Sequence, residues 1–419
     1  MKVDRILYLS ADRGIPVGGT KGSSVHIRQF IAALKQASYR PVALVANGGP
    51  DAAARLGVPV FVVTTEVTEG SGNGSSVPGA DRSLMRETAD FHANQAMEKK
   101  LEEIFAAEPF DLVYERYSLF GLAGLHFARR RGIPHVLEVN APLVPEASRY
   151  RSLMNKELAS AVEGFLFCMT DHVVAVSGAL KEYIRGIAPR TAITVVPNGV
   201  DLARFDLAGN EPDENALRNQ GANKDFVVGF VGSVRPWHGV DILLESVGEF
   251  AQVDRFIRLS VVGDGGALQP ELERRARKLG IAERTNFTGS VPFEQIPSLE
   301  RKMDVLVAPY PALDGFYFSP LKIFEYMASG RPIVASAIGQ ITEILRHEQT
   351  ALLVAPGDPE ALKEALLRLR RDPGLARRLG VEARAEVRRK HGWDRRIAQI
   401  GGIFAGLNAR AKRGVGHAA

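Results

Sequence analysis

Lys322 and Glu325 stand three residues apart in the run Ser-Pro-Leu-Lys-Ile-Phe-Glu-Tyr-Met-Ala-Ser-Gly-Arg-Pro (319–332). Together they can serve two parts of one ligand. A cation in the first turn of a helix adds to free N–H groups and the positive end of the dipole, which favours an anion such as phosphate. A carboxylate one turn on can accept two hydroxyl hydrogens from a ribose. The same spacing also makes an ordinary surface ion pair, so the pair alone leaves both readings open. Pro320 suits the helix start, and Gly330 with Pro332 form a stop signal. The helical period places Ile323, Phe324, Met327 and Ala328 on a face that should be buried. It places Lys322, Glu325, Tyr326 and Ser329 on the opposite, polar face.

Three glycine-bearing turns add candidates. Gly14, Gly18, Gly19 and Gly22 lie between a strand ending at Ser10 and a helix starting near Ser24. Such a loop can turn backbone N–H groups toward an anion, although it lacks the Gly-Lys-Ser/Thr of a P-loop. His26 and Arg28 follow one turn inside, and for His26 a packing role is equally open. Val-Val-Gly-Asp-Gly-Gly (261–266) supplies Gly263 and Gly265. It lacks the third glycine of a dinucleotide fingerprint, and the next strand ends without an acid, so a mononucleotide-facing turn is expected. Phe-Val-Gly-Ser-Val-Arg-Pro-Trp-His-Gly (230–239) offers Ser233, Arg235 and His238. Arg235 is the candidate cation there, and His238 can donate a hydrogen bond or, if protonated, a charge. A structural turn with Trp237 packed inside is the alternative. Glu138 and Asn140 share one side of a strand's carboxyl end. They can hold substrate hydroxyls or satisfy loop amides.

Strand and helix patterns alternate along the chain, which predicts an α/β fold with parallel sheets wrapped by helices. Predicted strands in the first half cover 6–9, 42–45, 58–63, 112–114, 135–139, 172–176 and 193–197. The pattern restarts at 226–231 and continues at 259–262, 285–287, 305–308 and 333–336. Helices are expected at 24–37, 89–105, 119–131, 157–168, 240–250, 270–279, 321–329 and 359–371. The polar stretch around 206–224 reads as a linker between a domain at 1–205 and a second at 225–388, with a terminal helix in 389–419 expected to pack back toward the first domain. The Gly/Ser-rich stretch at 70–80 should be a mobile loop. Cys168 is the only cysteine, which excludes a disulfide within the chain, and its apolar neighbours predict a buried thiol. No apolar run reaches the ~18 residues of a membrane span. A single cysteine and no cleavable leader fit a reducing, cytoplasmic compartment. The net charge of +5 leaves room for a peripheral contact with anionic lipid at the inner membrane face. Nucleic acid is not expected as a partner.

The run at 319–332, the Pro-Asn-Gly-Val-Asp turn at 197–201, the Val-Gly-Asp-Gly turn and the glycine loop resemble the family 4 retaining glycosyltransferases of GT-B architecture. The resemblance implies two Rossmann-like, doubly wound domains facing a central cleft. It implies transfer of a hexose-type sugar from a nucleotide diphosphate sugar to an acceptor hydroxyl, in glycan, polysaccharide or glycoconjugate biosynthesis. No cofactor or metal is implied. The acceptor would be a sugar, a lipid-linked molecule or another small molecule. Arg235, Lys322 and Glu325 carry over as catalytic. The donor set is Gly18, Gly19, Ser233, His238, Gly263, Gly265, Val291, Tyr317, Phe318, Ser319 and Leu321, and the acceptor side is His26, Glu138 and Asn140. Three positions depart from the family pattern. Ser233 and His238 stand where an Arg and a Lys are usual, and Tyr317 replaces the first acid of the Glu-x7-Glu pair. Two rivals stay open: an epimerase of the same architecture, and, because of these departures, a non-catalytic nucleotide-binding protein.

Overall fold

The computed structural model describes residues 3–63, 79–150, 152–206, 224–317 and 319–415. Most of the expected loop at 70–80 and most of the expected linker lie outside these residues, as does Phe318. Gly79 and Ala80, expected in that loop, instead open the long helix Gly79–Ala107.

The chain divides into two compact units, residues 1–197 with 394–419, and residues 198–393. The Pro-Asn-Gly-Val-Asp turn, expected to close the first half, straddles this division. Asn198 belongs to the second unit, where its backbone N–H donates to Ser319 Oγ (3.0 Å) and its side-chain amide to Ser319 O (2.6 Å).

The first unit is built on seven parallel strands: β1 (Arg5–Ser10), β2 (Arg40–Val45), β3 (Val60–Val62), β4 (Leu112–Arg116), β5 (His135–Val139), β6 (His172–Ala175) and β7 (Ile193–Val195). Their order is β3-β2-β1-β4-β5-β6-β7. The order reverses beside β1, so the loops after β1 and β4 diverge and leave a crevice at the strands' carboxyl ends. Residues on β1 are buried on both faces, which is why this strand reads as a continuous apolar run rather than an alternating one. Phe404, on the terminal helix Trp393–Val415, packs edge-on against Tyr39 (5.8 Å between ring centroids) and Tyr114 (6.2 Å).

The second unit repeats the plan with six parallel strands: β8 (Phe226–Val231), β9 (Ile257–Val262), β10 (Thr285–Gly289), β11 (Val305–Ala308), β12 (Ile333–Ser336) and β13 (Leu352–Val354). Their order is β10-β9-β8-β11-β12-β13, reversing beside β8. One face of this sheet packs Phe230, Val261 and Val307 against Leu243, Leu366 and Leu379. The other packs Val231, Leu306 and Ala335 against Ile323, Phe324 and Met327.

The helix Leu321–Ser329 starts and stops where its punctuation predicts, with Pro320 as N-cap and Gly330 in the left-handed region at its end. Its polar face departs from the prediction. Tyr326 is fully buried, because its hydroxyl accepts from Val231 N–H (2.8 Å) and donates to Val231 O (3.1 Å), so the phenol needs no water. Lys322 is buried too. Cys168, expected to be buried, is exposed: the helix Lys156–Met169 buries Ala159, Val162, Leu166 and Phe167, and Cys168 falls on the opposite face. Two unpredicted helices carry clear start signals. Ser177 caps Gly178–Ile187 by accepting from Leu180 N–H, and Asp372 caps Pro373–Lys390 by accepting from Leu375 N–H. Among the described residues, no helix is long and apolar enough to cross a membrane.

Candidate functional site

In the second unit the candidates gather at the carboxyl ends of β8, β9 and β11. Gly232 ends β8 at φ 137°, a conformation an L side chain rarely adopts. A Cβ there would lie 3.4 Å from Lys322 Nζ, so the glycine leaves space for that ammonium. Gly263 ends β9 at φ 141°, and a Cβ on it would meet Gly232 O at 2.0 Å. The two turns therefore press backbone on backbone. Their own N–H groups are engaged, Gly232 with Val262 O and Gly263 with Gly289 O, so neither amide is free for a phosphate. Gly265 continues the second turn, its carbonyl accepting from Leu268 N–H (3.0 Å).

Lys322 enters this space from the first turn of its helix. Its ammonium lies over the Phe230 ring (4.2 Å to the centroid) and near Tyr310 (5.4 Å). The aromatic faces attract the cation. Among the described residues, however, Nζ has no hydrogen-bond acceptor. Burial pushes its pKa down to about 7, with Glu325 pulling the other way. A buried ammonium without an acceptor is costly, and an anion placed here would relieve that cost.

Glu325 lies one turn further along, its side chain 13% exposed, with Oε1 3.7 Å from Arg204 Nη1. Burial pushes its carboxyl up to about 7, although Arg204 and Lys322 favour the charged form. Arg204 comes from the short turn Leu202–Phe205 and was not singled out in the sequence.

His238 corrects an expectation. Nδ1 lies 2.6 Å from Ser233 O, so Nδ1 carries the hydrogen and Nε2 is left as an acceptor. Burial, with Lys322 and Arg235 adding to it, holds the imidazole pKa down at about 2. His238 is therefore neutral, and neither a charge nor an Nε2–H is available to a phosphate. Arg235 is exposed at the mouth of the same turn. Ser233, Tyr317 and Leu321 are half-buried. Val291, also half-buried, packs with the cluster under Val231 and Val262. Ser319 is occupied by Asn198, as described above.

In the first unit, the three candidates on the expected acceptor side converge on one carboxylate. Glu138 Oε1 is 2.9 Å from His26 Nε2 and accepts from the Tyr114 hydroxyl (3.2 Å). Its Oε2 accepts from the Asn140 amide (3.0 Å) and from Arg116 Nη1 (3.3 Å). Burial alone would raise this carboxyl, but His26, Arg116 and Asn140 outweigh it and hold the pKa at about 2. Glu138 is thus a fixed anion that orients its neighbours. Arg116 and Tyr114 were missed from sequence, though Arg116 pairs with Glu138 across the β4–β5 register.

Arg116 and Asn140 open onto a cavity of about 610 Å³. The loop after β1, from Ala11 to Ile15, forms one wall, and Tyr117 and Phe120 form part of another. Gly18 and Gly19 do not reach it. Their N–H groups donate to Gly48 O (2.8 Å) and Pro16 O (2.8 Å), and a Cβ on Gly18 would strike Pro50 O. The glycines expected to present amides to an anion instead tie the loop to itself and to the loop after β2.

Residues 20–204 match Glycosyltransferase Family 4, and residues 225–372 match Glycosyl transferases group 1. A D-inositol 3-phosphate glycosyltransferase of Salinispora arenicola is 30% identical over 322 residues, covering 70% of this chain and 68% of that one. An uncharacterized glycosyltransferase of Methanocaldococcus jannaschii is 25% identical over 306 residues, covering 72% of this chain and 76% of that one. The structure is similar to a sucrose-phosphate synthase from Thermosynechococcus elongatus (TM-score 0.73, 20% identity, 97% of this chain and 100% of that chain). It is also similar to Anabaena HepE in complex with UDP and glucose (TM-score 0.71, 20% identity, 96% of this chain and 99% of that chain). The chain belongs to the family 4 glycosyltransferases and has the two Rossmann-like domains of the GT-B fold.

Proposed function

We propose that this glycosyltransferase moves a hexose from a nucleotide diphosphate sugar to an acceptor hydroxyl, with retention at the anomeric carbon and without a metal. The observation that carries the reading is Lys322: a buried ammonium on an aromatic floor, lacking an acceptor, beside the two glycine turns. HepE, whose structure holds UDP and glucose, supports a uridine diphosphate sugar as the first donor to try.

In this reading the diphosphate lies on the first turn of the helix Leu321–Ser329. Lys322, the dipole and the first-turn amides face it, and Arg235 adds a second cation from the exposed turn. The ribose hydroxyls donate to Glu325. The acceptor occupies the cavity of the first unit, oriented by Arg116 and Asn140, which Glu138 holds in place. As the bond between the anomeric carbon and the phosphate oxygen breaks, charge grows on the leaving diphosphate. Lys322 stabilises that charge more in the transition state than in the ground state. The acceptor oxygen forms the new bond to the same carbon, and its proton passes to the departing phosphate oxygen. No protein base is required.

The test is a panel of nucleotide sugars first scored by thermal stabilisation, then incubated with acceptors. Product configuration is read by NMR. A product with inverted configuration rejects the mechanism. An epimer formed from donor alone supports the epimerase instead, and binding without turnover across the panel supports a non-catalytic role.

A further inference from the structure

Behind Glu325 lies a second acid that the proposed reaction does not use. Glu300 ends the short helix Ile296–Glu300, is fully buried, and has neither carboxyl oxygen hydrogen-bonded among the described residues. Arg204 is the cation both acids feel. Its guanidinium lies 3.4 Å from the centroid of the Phe293 ring and donates through Nη2 to Phe293 O (2.5 Å). Its Nη1 points toward Glu325 Oε1 at 3.7 Å, within ion-pair range and too long for a hydrogen bond. The side chain is thus fixed by stacking and by one carbonyl, with its charge left for the acids.

A carboxylate out of water with neither oxygen hydrogen-bonded is a costly buried charge, and Glu300 is in that position among the described residues. The groups that face Glu325 are Arg204, Glu300, Lys322 and Tyr326; Asp201 and Glu294 act on Arg204 from further out. Tyr326 is a neutral phenol. Of the two acids, Glu325 has the guanidinium at ion-pair distance, and the Glu300 carboxyl has no hydrogen bond among the described residues. Burial and the neighbouring Glu325 both push Glu300 toward its neutral form.

We propose that Arg204 is a positioning residue for donor binding: fixed on Phe293, it favours the ionised form of Glu325 and aims it at the ribose, while Glu300 stores the proton the cluster must keep. The inference rests on the ribose role proposed for Glu325. It makes Glu300 a buried carboxylic acid and gives the donor site a single negative charge at the right place.

The experiment measures UDP and GDP affinity by calorimetry between pH 6 and 9, carrying forward whichever binds the parent more tightly. Each variant is read as a ratio to the parent at the same pH, which cancels the shared loss as Lys322 gives up its proton. Arg204→Met should lose at least about tenfold at pH 7 and recover toward the parent by pH 9, because higher pH ionises Glu325 without help. Arg204→Lys, which keeps the charge, should restore most of the affinity at pH 7. Glu300→Gln should stay within about twofold of the parent, since the amide replaces a group that was already neutral. A loss in Arg204→Met that is the same at every pH and is not rescued by lysine overturns the proposal. So does a Glu300→Gln variant as weak as Arg204→Met. Glu325→Gln separates the two levels. If it binds nucleotide as the parent does, the ribose reading itself fails; if it loses affinity while the Arg204→Met loss is flat with pH, only this inference fails. Where Arg204→Met does not fold, the lysine and Glu300→Gln variants decide alone: lysine within about threefold of the parent at pH 7 and Glu300→Gln within twofold support the proposal, and a larger loss in either overturns it.

Discussion

Replacing Lys322 with methionine should make the empty protein more stable while removing its donor site. The ammonium is held on Phe230 and Tyr310 with no acceptor, and its pKa falls from 10.5 to about 7. Each tenfold loss of proton affinity on folding is worth ~1.4 kcal/mol. At pH 7 the unfolded chain binds a full proton on this residue and the folded chain about half of one. Integrated over that difference, the buried ammonium costs the fold on the order of 4 kcal/mol at pH 7. Methionine has a similar volume, carries no charge and suits an aromatic floor. For a domain of this size, ~1 kcal/mol moves the melting temperature by about 2–4 °C, so the second unit should melt at least roughly 5 °C higher. The sign with pH is specific. The folded pKa lies below the unfolded one, so the penalty is full below pH 7, shrinks as pH rises, and is gone above 10.5. The advantage of Lys322→Met should shrink in the same way. Calorimetric melting at several pH values between 6 and 10, with and without saturating UDP or GDP, reads all of this. The parent should gain stability from the preferred nucleotide and the variant should gain almost none. A variant that melts below the parent at pH 7, or whose advantage is flat with pH, refutes the reasoning.

Glu325→Ala should weaken nucleotide binding by about 1.5–3 kcal/mol, the scale of hydrogen bonds to a charged group; unchanged affinity for the preferred nucleotide in a calorimeter rejects the ribose contact. The pH profile of kcat/KM should be bell-shaped. Its acid limb comes from Glu325, which must be ionised, and its alkaline limb from Lys322, which must be protonated, both pKa values lying near 7 in the empty site. A profile with only one limb between pH 5 and 9 contradicts this assignment. Gly263→Ala should destabilise the second unit by more than about 2 kcal/mol, because the added methyl meets Gly232 O at 2.0 Å in a left-handed backbone; an unchanged denaturation midpoint would show that the turns are not in close contact.

Much of the architecture can be read along the chain because parallel strands buried on both faces leave short apolar runs between helical patterns. The helix carrying Lys322 and Glu325 begins and ends at its proline and glycine signals. Its burial could not be read the same way. Period alone put Tyr326 with the polar residues, and only the backbone of Val231, on another strand, shows how a phenol is satisfied inside. Lys322 has the same history: a lysine in a first turn looks solvated until Phe230 and Tyr310 are seen beneath it. Glu138 and Asn140 were legible through strand alternation, but Arg116 joins them only through the register of β4 on β5. Arg204 and Glu300 carry no local signal at all. They meet Glu325 from elements 121 and 25 residues away in sequence, and a single arginine or glutamate in a helical turn reads as surface. The glycine loop misled for a related reason. Spacing shows that a turn is present, not whether its amides face a ligand or, as at Gly18 and Gly19, the fold itself.

A crystal structure of the protein with its preferred nucleoside diphosphate bears most directly on the donor assignment. The expected result is Lys322 Nζ within about 2.7–3.2 Å of a phosphate oxygen and Glu325 accepting from the ribose hydroxyls at similar distances. A nucleotide bound elsewhere in the second unit, leaving the Lys322 ammonium on its aromatic floor without an acceptor, contradicts it.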